Sequence, residues 1–247
     1  MIKFFRKIRL NLLSEGKRGK YLKYALGEII LVVIGIVIAL QLNEMKKNQE
    51  KGATRDYYTN AILEDLKQDS ISIRNILVSY QEQLDVLNNQ VSRIFNSNAT
   101  IDTIINIARF EFDNTFKSIQ YNDNSFKTVV SSGYADLFDK GVIKRLMELD
   151  ESHRAEISDT KPSSETYRNQ LEAYYRTYSP DYGMNQSNLI DSIIWIDIDE
   201  KDFVGKFRAM FFMKIFITKE LMSHLISIEK KTHNTITFIR KRWANKT

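Results

Sequence analysis

Nineteen residues from Tyr24 to Leu42, YALGEIILVVIGIVIALQL, carry a single charge, Glu28. As a helix the run is about 28 Å long at roughly 1.5 Å per residue, close to a hydrocarbon core of about 30 Å. A run this long and this apolar predicts one transmembrane helix. The residues after Ala39 read LQLNEMKKNQE and offer no small-x-small pair for a signal peptidase, so a retained anchor is expected.

The net charge of +5 conceals an uneven distribution. Residues 1–23 hold eight Lys and Arg against Glu15 alone, and residues 240–247 add Arg240, Lys241, Arg242 and Lys246. Everything between is net acidic. Basicity confined to the two ends suits a membrane surface better than a nucleic-acid groove, so no nucleic-acid partner is expected. The positive-inside rule then predicts a cytoplasmic segment over 1–23, the span over 24–42 and a periplasmic helical domain over 43–247. Within MIKFFRKIRLNLL, Phe4 and Phe5 fall with Ile8 and Leu12 on one side, with Lys3, Arg6 and Lys7 towards the other and Arg9 following. That is the pattern of an interfacial amphipathic helix lying on the lipid bilayer. Arg240, Lys241, Arg242 and Trp243 are read as a second membrane-surface group.

Glu28 sits one turn inside the cytoplasmic end of the span and shares a helix face with Gly35 and Ala39. Small residues at 35 and 39 let helices approach closely. Three roles are open for the carboxylate. It can mark the boundary by reaching towards Lys20, Lys23 or the headgroups, make a polar contact between transmembrane helices, or relay an ion.

Beyond Asn43 the pattern is helical throughout, and the chain is predicted to be all-α. A long helix continuing the span to about Phe95 carries Leu66, Ile73, Leu77, Tyr80, Leu84, Leu87, Val91 and Ile94 at heptad spacing, a coiled-coil signal interrupted by Ser70. Thr100 caps a short helix to about Arg109, and another runs from near Asn124 to Gly133. A further helix is expected from Asp139 to Glu156. After DTKPSS a separate one carries Tyr167, Tyr174 and Tyr178, with Tyr175 beside them, and closes at Ser179-Pro180. Those four tyrosines are candidates for a ligand patch, although a stripe at this spacing more often packs in a core. Asp199 and Asp202 open a last helix from Glu200 to about Trp243. Two long helices separated by short ones pair into an antiparallel bundle.

The chemistry-bearing residues are sparse. With no Cys there is no disulfide, thiol nucleophile or Cys-ligated metal. Glu220 with His224 and Glu229 with His233 are each one turn apart, but the two histidines face opposite sides of the helix and cannot share an ion. DIDEKD, residues 197–202, lacks the glycine and the closing glutamate of a calcium loop. No phosphate loop, dinucleotide fingerprint or nucleophile elbow is present. Neither cofactor, metal nor enzymatic activity is expected. Asp69-Ser70-Ile71, Asp102-Thr103-Ile104 and Asp191-Ser192-Ile193 resemble a periplasmic O-glycosylation motif.

MIKFFRKIR, KYLKYALGEI and LVVIGIVIALQLN together resemble the opening of an uncharacterised family of Bacteroidota single-span membrane proteins, known only as a domain of unknown function. SFKTVVSSGYADLFDKGVIKRL is similar to that family's pair of helices around a Ser-Gly turn, and LEAYYRTY to its Tyr-Tyr region. The family's usual Trp just past the span is replaced by Met45, two residues beyond Asn43. The resemblance implies location and topology and no activity. The expected role is that of an inner-membrane scaffold or accessory subunit of an envelope complex, self-associating as a homo-oligomer and contacting other envelope proteins. The second reading is a periplasmic ligand sensor or transport-coupled subunit acting through the span.

Overall fold

A computed structural model describes residues 18–178, 195 and 197–244. The chain divides into two compact units, Met1–Tyr57 and Tyr58–Thr247, and helix α1 (Arg18–Ile94) contributes to both.

In the first unit α1 is apolar on every side. Each large apolar side chain from Leu26 to Leu42 is exposed, and among the described residues this is the one helix long and apolar enough to cross a membrane. A helix suits that setting because it satisfies its own backbone hydrogen bonds. Past Met45 the character changes to charged side chains, with Lys46 and Glu50 one turn apart at 3.9 Å.

The second unit is all-α among its described residues. From Tyr58 onward α1 packs with α4 (Lys140–Tyr175) and α5 (Glu200–Ala244). Helix α5 runs antiparallel to both. Its Glu229 meets Arg74 at 2.8 Å, and its Phe212 lies 6.3 Å from Phe95. Against α4, Lys231 donates to Ser152 and Lys206 to Thr177. The short helices α2 (Ile101–Asn106) and α3 (Asn124–Ser131) lie between α1 and α4 in the chain.

The heptad positions Leu66, Ile73, Tyr80, Leu84 and Leu87 are buried, each contributing about 1.5–3 kcal/mol by leaving water. Their neighbours are this chain's own Val142, Leu146, Leu225, Ile228 and the aromatic residues of α5. The seam is therefore the inner face of an intramolecular bundle. Ser70 is buried in it, which leaves the hydroxyl inaccessible to a glycosylating enzyme in the folded chain.

Local signals set the helix ends. Thr100 and Thr103 form a capping box, and Asp139 accepts from the Gly141 amide at 2.8 Å. Asp199 accepts from the Lys201 and Asp202 amides at 3.0 and 3.1 Å and so opens α5 where expected. Gly133 follows α3 with φ 71°, a left-handed stop that other residues rarely adopt.

Two expectations are corrected. The chain does not break at DTKPSS, because α4 is a single helix that passes through Pro162 and stops at Tyr175, short of Ser179. Proline removes one backbone donor, but packing on both sides of Pro162 holds the helix together, from Val142 and Leu146 before it to Tyr167 and Tyr174 after it. The second correction concerns Phe112–Asp123, which lies between two short helices in a stretch read as helical throughout. It is an extended strap whose side chains alternate between half-buried and exposed from Phe112 to Lys117.

Pro162 should therefore weaken α4. Replacing it, Pro162→Ala, is expected to stabilise the protein by about 1–3 kcal/mol, because the missing amide bond can form and Ala favours the helix. Urea unfolding followed by Trp fluorescence in detergent micelles measures this, and a lower midpoint than wild type would contradict it.

Candidate functional site

An extended segment among helices has no neighbouring strand, so side chains must serve its backbone. Helix α1 supplies most of them. Gln90 donates to the Glu111 carbonyl at 3.0 Å, and Gln83 to the Asp113 carboxylate and the Thr115 carbonyl. The Tyr80 hydroxyl donates to the Lys117 carbonyl at 2.5 Å. Nearer the start of the bundle, Asp69 accepts from the amide and side chain of Asn122, and Asp65 accepts from the Ser125 amide. From α4, the Tyr167 hydroxyl donates to the Asn114 carbonyl at 3.1 Å. Burial pushes the Tyr80 hydroxyl up to about 12, so it stays a donor at any ordinary pH.

Lys214 reaches the strap from α5. Its side chain is fully buried, its ammonium donates to the Thr115 carbonyl, and it lies 3.5 Å from the centre of the Phe116 ring. Burial lowers its pKa to about 8, opposed by the charge of Asp113. The aromatic face and the carbonyl together replace part of the lost hydration.

A second polar cluster lies where the strap meets α4. Tyr121 stacks flat on His153, ring centres 3.6 Å apart, and its hydroxyl reaches Glu156 at 3.5 Å. Burial raises the pKa of Glu156, partly offset by His224 and by Tyr121. Burial also raises Asp69, against the hydrogen bonds from Asn122. Asp69 Oδ2 and His153 Nε2 are buried without a hydrogen-bond partner among the described residues. Both side chains line a cavity of about 20 Å³, room for one water. Asp65, Asp123 and Asp150 line it too, yet no group of three such residues among those described is placed to hold a metal ion. Amides and basic side chains engage the carboxylates instead, as Lys127 does Asp123 and Arg154 does Asp150.

Next to this cluster a trough of about 470 Å³ runs between α4 and the strap, with Ile76, Leu221 and Leu225 in its floor. Tyr167 and Leu171 form one wall.

The residues singled out in the sequence fall in different places. Tyr167, Tyr174 and Tyr178 are core side chains, and Tyr178 donates to Asp202 at 2.9 Å. Tyr175 is half-buried and hydrogen-bonded to the Asn114 side chain. Of the four, only Tyr167 lines the trough. Gly35 and Ala39 are exposed, and a Cβ added at Gly35 would meet nothing within 4 Å. Glu28 is half-buried in its own unit. Arg240, Lys241 and Arg242 are exposed and Trp243 is half-buried, with Arg242 4.0 Å from Asp139. Lys3, Phe4, Phe5, Arg6, Lys7 and Arg9 lie outside the described residues, as does the Asp191-Ser192-Ile193 motif. His224 and His233 remain apart, and Glu229 pairs with Arg74. The strap cluster escaped sequence reading because its members meet across sequence separations of 21 to 99 positions.

These features define a class: an all-α protein with one helix of membrane-crossing length and a helical unit clasping an extended strap. The chain belongs to a family of unknown function, DUF6090, whose model matches residues 28–151, half of the 247. No curated protein and no solved structure matches it.

His153 supplies a pH test. Burial holds its pKa at about 4 against an ordinary 6.5, although Asp150 and Asp123 pull it upward. Between those values the unfolded chain takes up a proton that the folded chain refuses, so this group's contribution is present above pH 6.5 and is lost as pH falls towards 4. Asp69 and Glu156, raised by burial, act in the opposite sense, losing their contribution as pH rises through their folded values. His153→Phe keeps the stacking on Tyr121 and removes the titration. Its stability relative to wild type should improve by up to about 3 kcal/mol between pH 7 and pH 4. Denaturation midpoints of both proteins across that range check it, and a constant difference would contradict it.

Proposed function

We propose that the protein is a single-pass inner-membrane protein with its N-terminus in the cytoplasm and its helical unit in the periplasm. It serves as a self-associating scaffold or accessory subunit of an envelope complex, without catalysis of its own. One observation carries the proposal: α1 uses its heptad seam inside its own bundle while the stretch from Leu26 to Leu42 stays exposed on all sides. An apolar surface of that size needs lipid or another apolar helix against it. Association through the span therefore follows more naturally than a coiled coil between copies. The second reading, a ligand sensor or transport-coupled subunit, is favoured by the trough beside Tyr167.

Orientation is testable with single cysteines, since the natural chain has none. A cysteine at Asn98 should react with a membrane-impermeant thiol reagent in osmotically shocked cells, and one at Asn11 should not. The reverse labelling would overturn the topology.

Self-association is tested at Gly35. Because a Cβ added at Gly35 meets nothing within the chain, Gly35→Leu reads contacts made from outside it. It is expected to abolish detergent-resistant oligomers, while Glu28→Gln has a mild effect, since a hydrogen bond between membrane helices averages about 0.6 kcal/mol. Crosslinking in native membranes measures both. Unchanged assembly in Gly35→Leu would remove this face from the interface.

A further inference from the structure

The trough between α4 and the strap has the shape and charge of a binding site. On α4 its lining runs from Glu156 to Leu171, about 22 Å at the helical rise. Its volume of about 470 Å³ falls within the range of roughly 300–1,000 Å³ of small-molecule sites. It opens where the strap changes register: Lys117 and Ser118 both face outward, so the alternation slips between Phe116 and Ile119. Most of its lining is hydrocarbon and aromatic ring, with the Thr160 and Ser164 hydroxyls among it. The charged groups at its edge are Lys117, Lys161 and Arg168, all exposed. Glu156, the lining carboxyl, is nine-tenths buried, and its Oε2 accepts from Tyr121 at 3.5 Å. Lys161 has a loose surface contact with Glu165 at 3.9 Å, which leaves it able to turn to an anion.

We infer that this trough binds a single-chain anionic amphiphile, with the hydrocarbon chain along Phe116, Leu171 and Leu225 and a carboxylate or similar head at Lys117, Lys161 and Arg168. A trough of about 470 Å³ matches the volume of one hydrocarbon chain rather than two. The cationic edge selects an anionic head over a neutral one. This assignment stands apart from the scaffold reading and does not depend on it.

The test uses the full chain in phosphatidylcholine nanodiscs, photolabelled with palmitic acid carrying a diazirine near its terminal methyl group. Peptide mapping separates labelling of the trough from labelling of the apolar stretch 26–42. The expected result is label on α4 and the strap around Phe116, Ile157 and Leu171. In the exposed variant Lys117→Gln/Lys161→Gln/Arg168→Gln that label should fall about tenfold, the product of three surface charge contacts each worth about twofold to threefold. Labelling of 26–42 should not change. Narrowing the slot with Ser164→Phe, which leaves the charges in place, should also reduce trough labelling. Label confined to 26–42 would overturn the proposal, as would an unchanged yield in the charge variant. Equal trough labelling by the methyl ester of the same probe would overturn the anionic head.

Discussion

The backbone of the strap must be hydrogen-bonded without a sheet, and this requirement organises the second unit. Each buried amide or carbonyl left without a partner costs about 1–3 kcal/mol. Phe112–Asp123 avoids that by drawing on side chains already fixed by helix packing: Gln83, Tyr80 and Asp69 from α1, Tyr167 from α4 and Lys214 from α5. Those donors and acceptors come from three different helices, so the strap can seat only once all three are in place. It acts as a check on the bundle's register, because a helix slid by one turn would bring a different side chain to each carbonyl.

Lys214 shows how strict the arrangement is. A buried ammonium is expensive unless it is coordinated, and here it has a carbonyl, an aromatic face and the nearby Asp113 charge. A shorter amide from α5 would satisfy the carbonyl without the cost of desolvating a charge. What lysine offers is reach along an apolar stem through the core to the strap. Removing it would leave the Thr115 carbonyl with only the 3.3 Å bond from Gln83.

Much of the fold was legible because it rests on local chemistry. The heptad spacing from Leu66 to Leu87 marked an apolar helix face, and Asp199 marked the start of the last helix. The sequence also carries the strap: in FDNTFKSIQY the inward positions Phe112, Asn114 and Phe116 alternate with outward ones, the period of a strand in a chain of helices. Asn114 hides the signal, because an amide at an inward position reads as a turn until Tyr175 is seen bonded to it. Pro162 misled in the other direction, since proline signals a break and only long-range packing overrides it. The polar cluster was not legible in any window. Glu156 sits among the other charged residues of an amphipathic helix, and Lys214, though the lone charge between Arg208 and Lys219, gives no sign of the strap carbonyl that it meets.

Two kinds of apolar surface share α1, and the difference explains why periodicity alone could not give the oligomeric state. Between Leu66 and Leu87 the buried apolar side chains form one stripe, with Ile71, Val78 and Val86 exposed outside it, and such a stripe is filled equally well by another copy or by helices of the same chain. Here α4, α5 and the strap occupy it, so a heptad pattern that would normally point to a coiled coil has no vacancy left. Between Leu26 and Leu42 the helix is apolar all round, which no single stripe of partners could cover. Lipid or other apolar helices would satisfy such a surface, and in a bilayer the choice of a neighbouring helix would pass from hydrophobicity to steric fit. Gly35 and Ala39 are the positions where that fit can be close, because the surrounding Ile, Val and Leu side chains stand further from the helix axis.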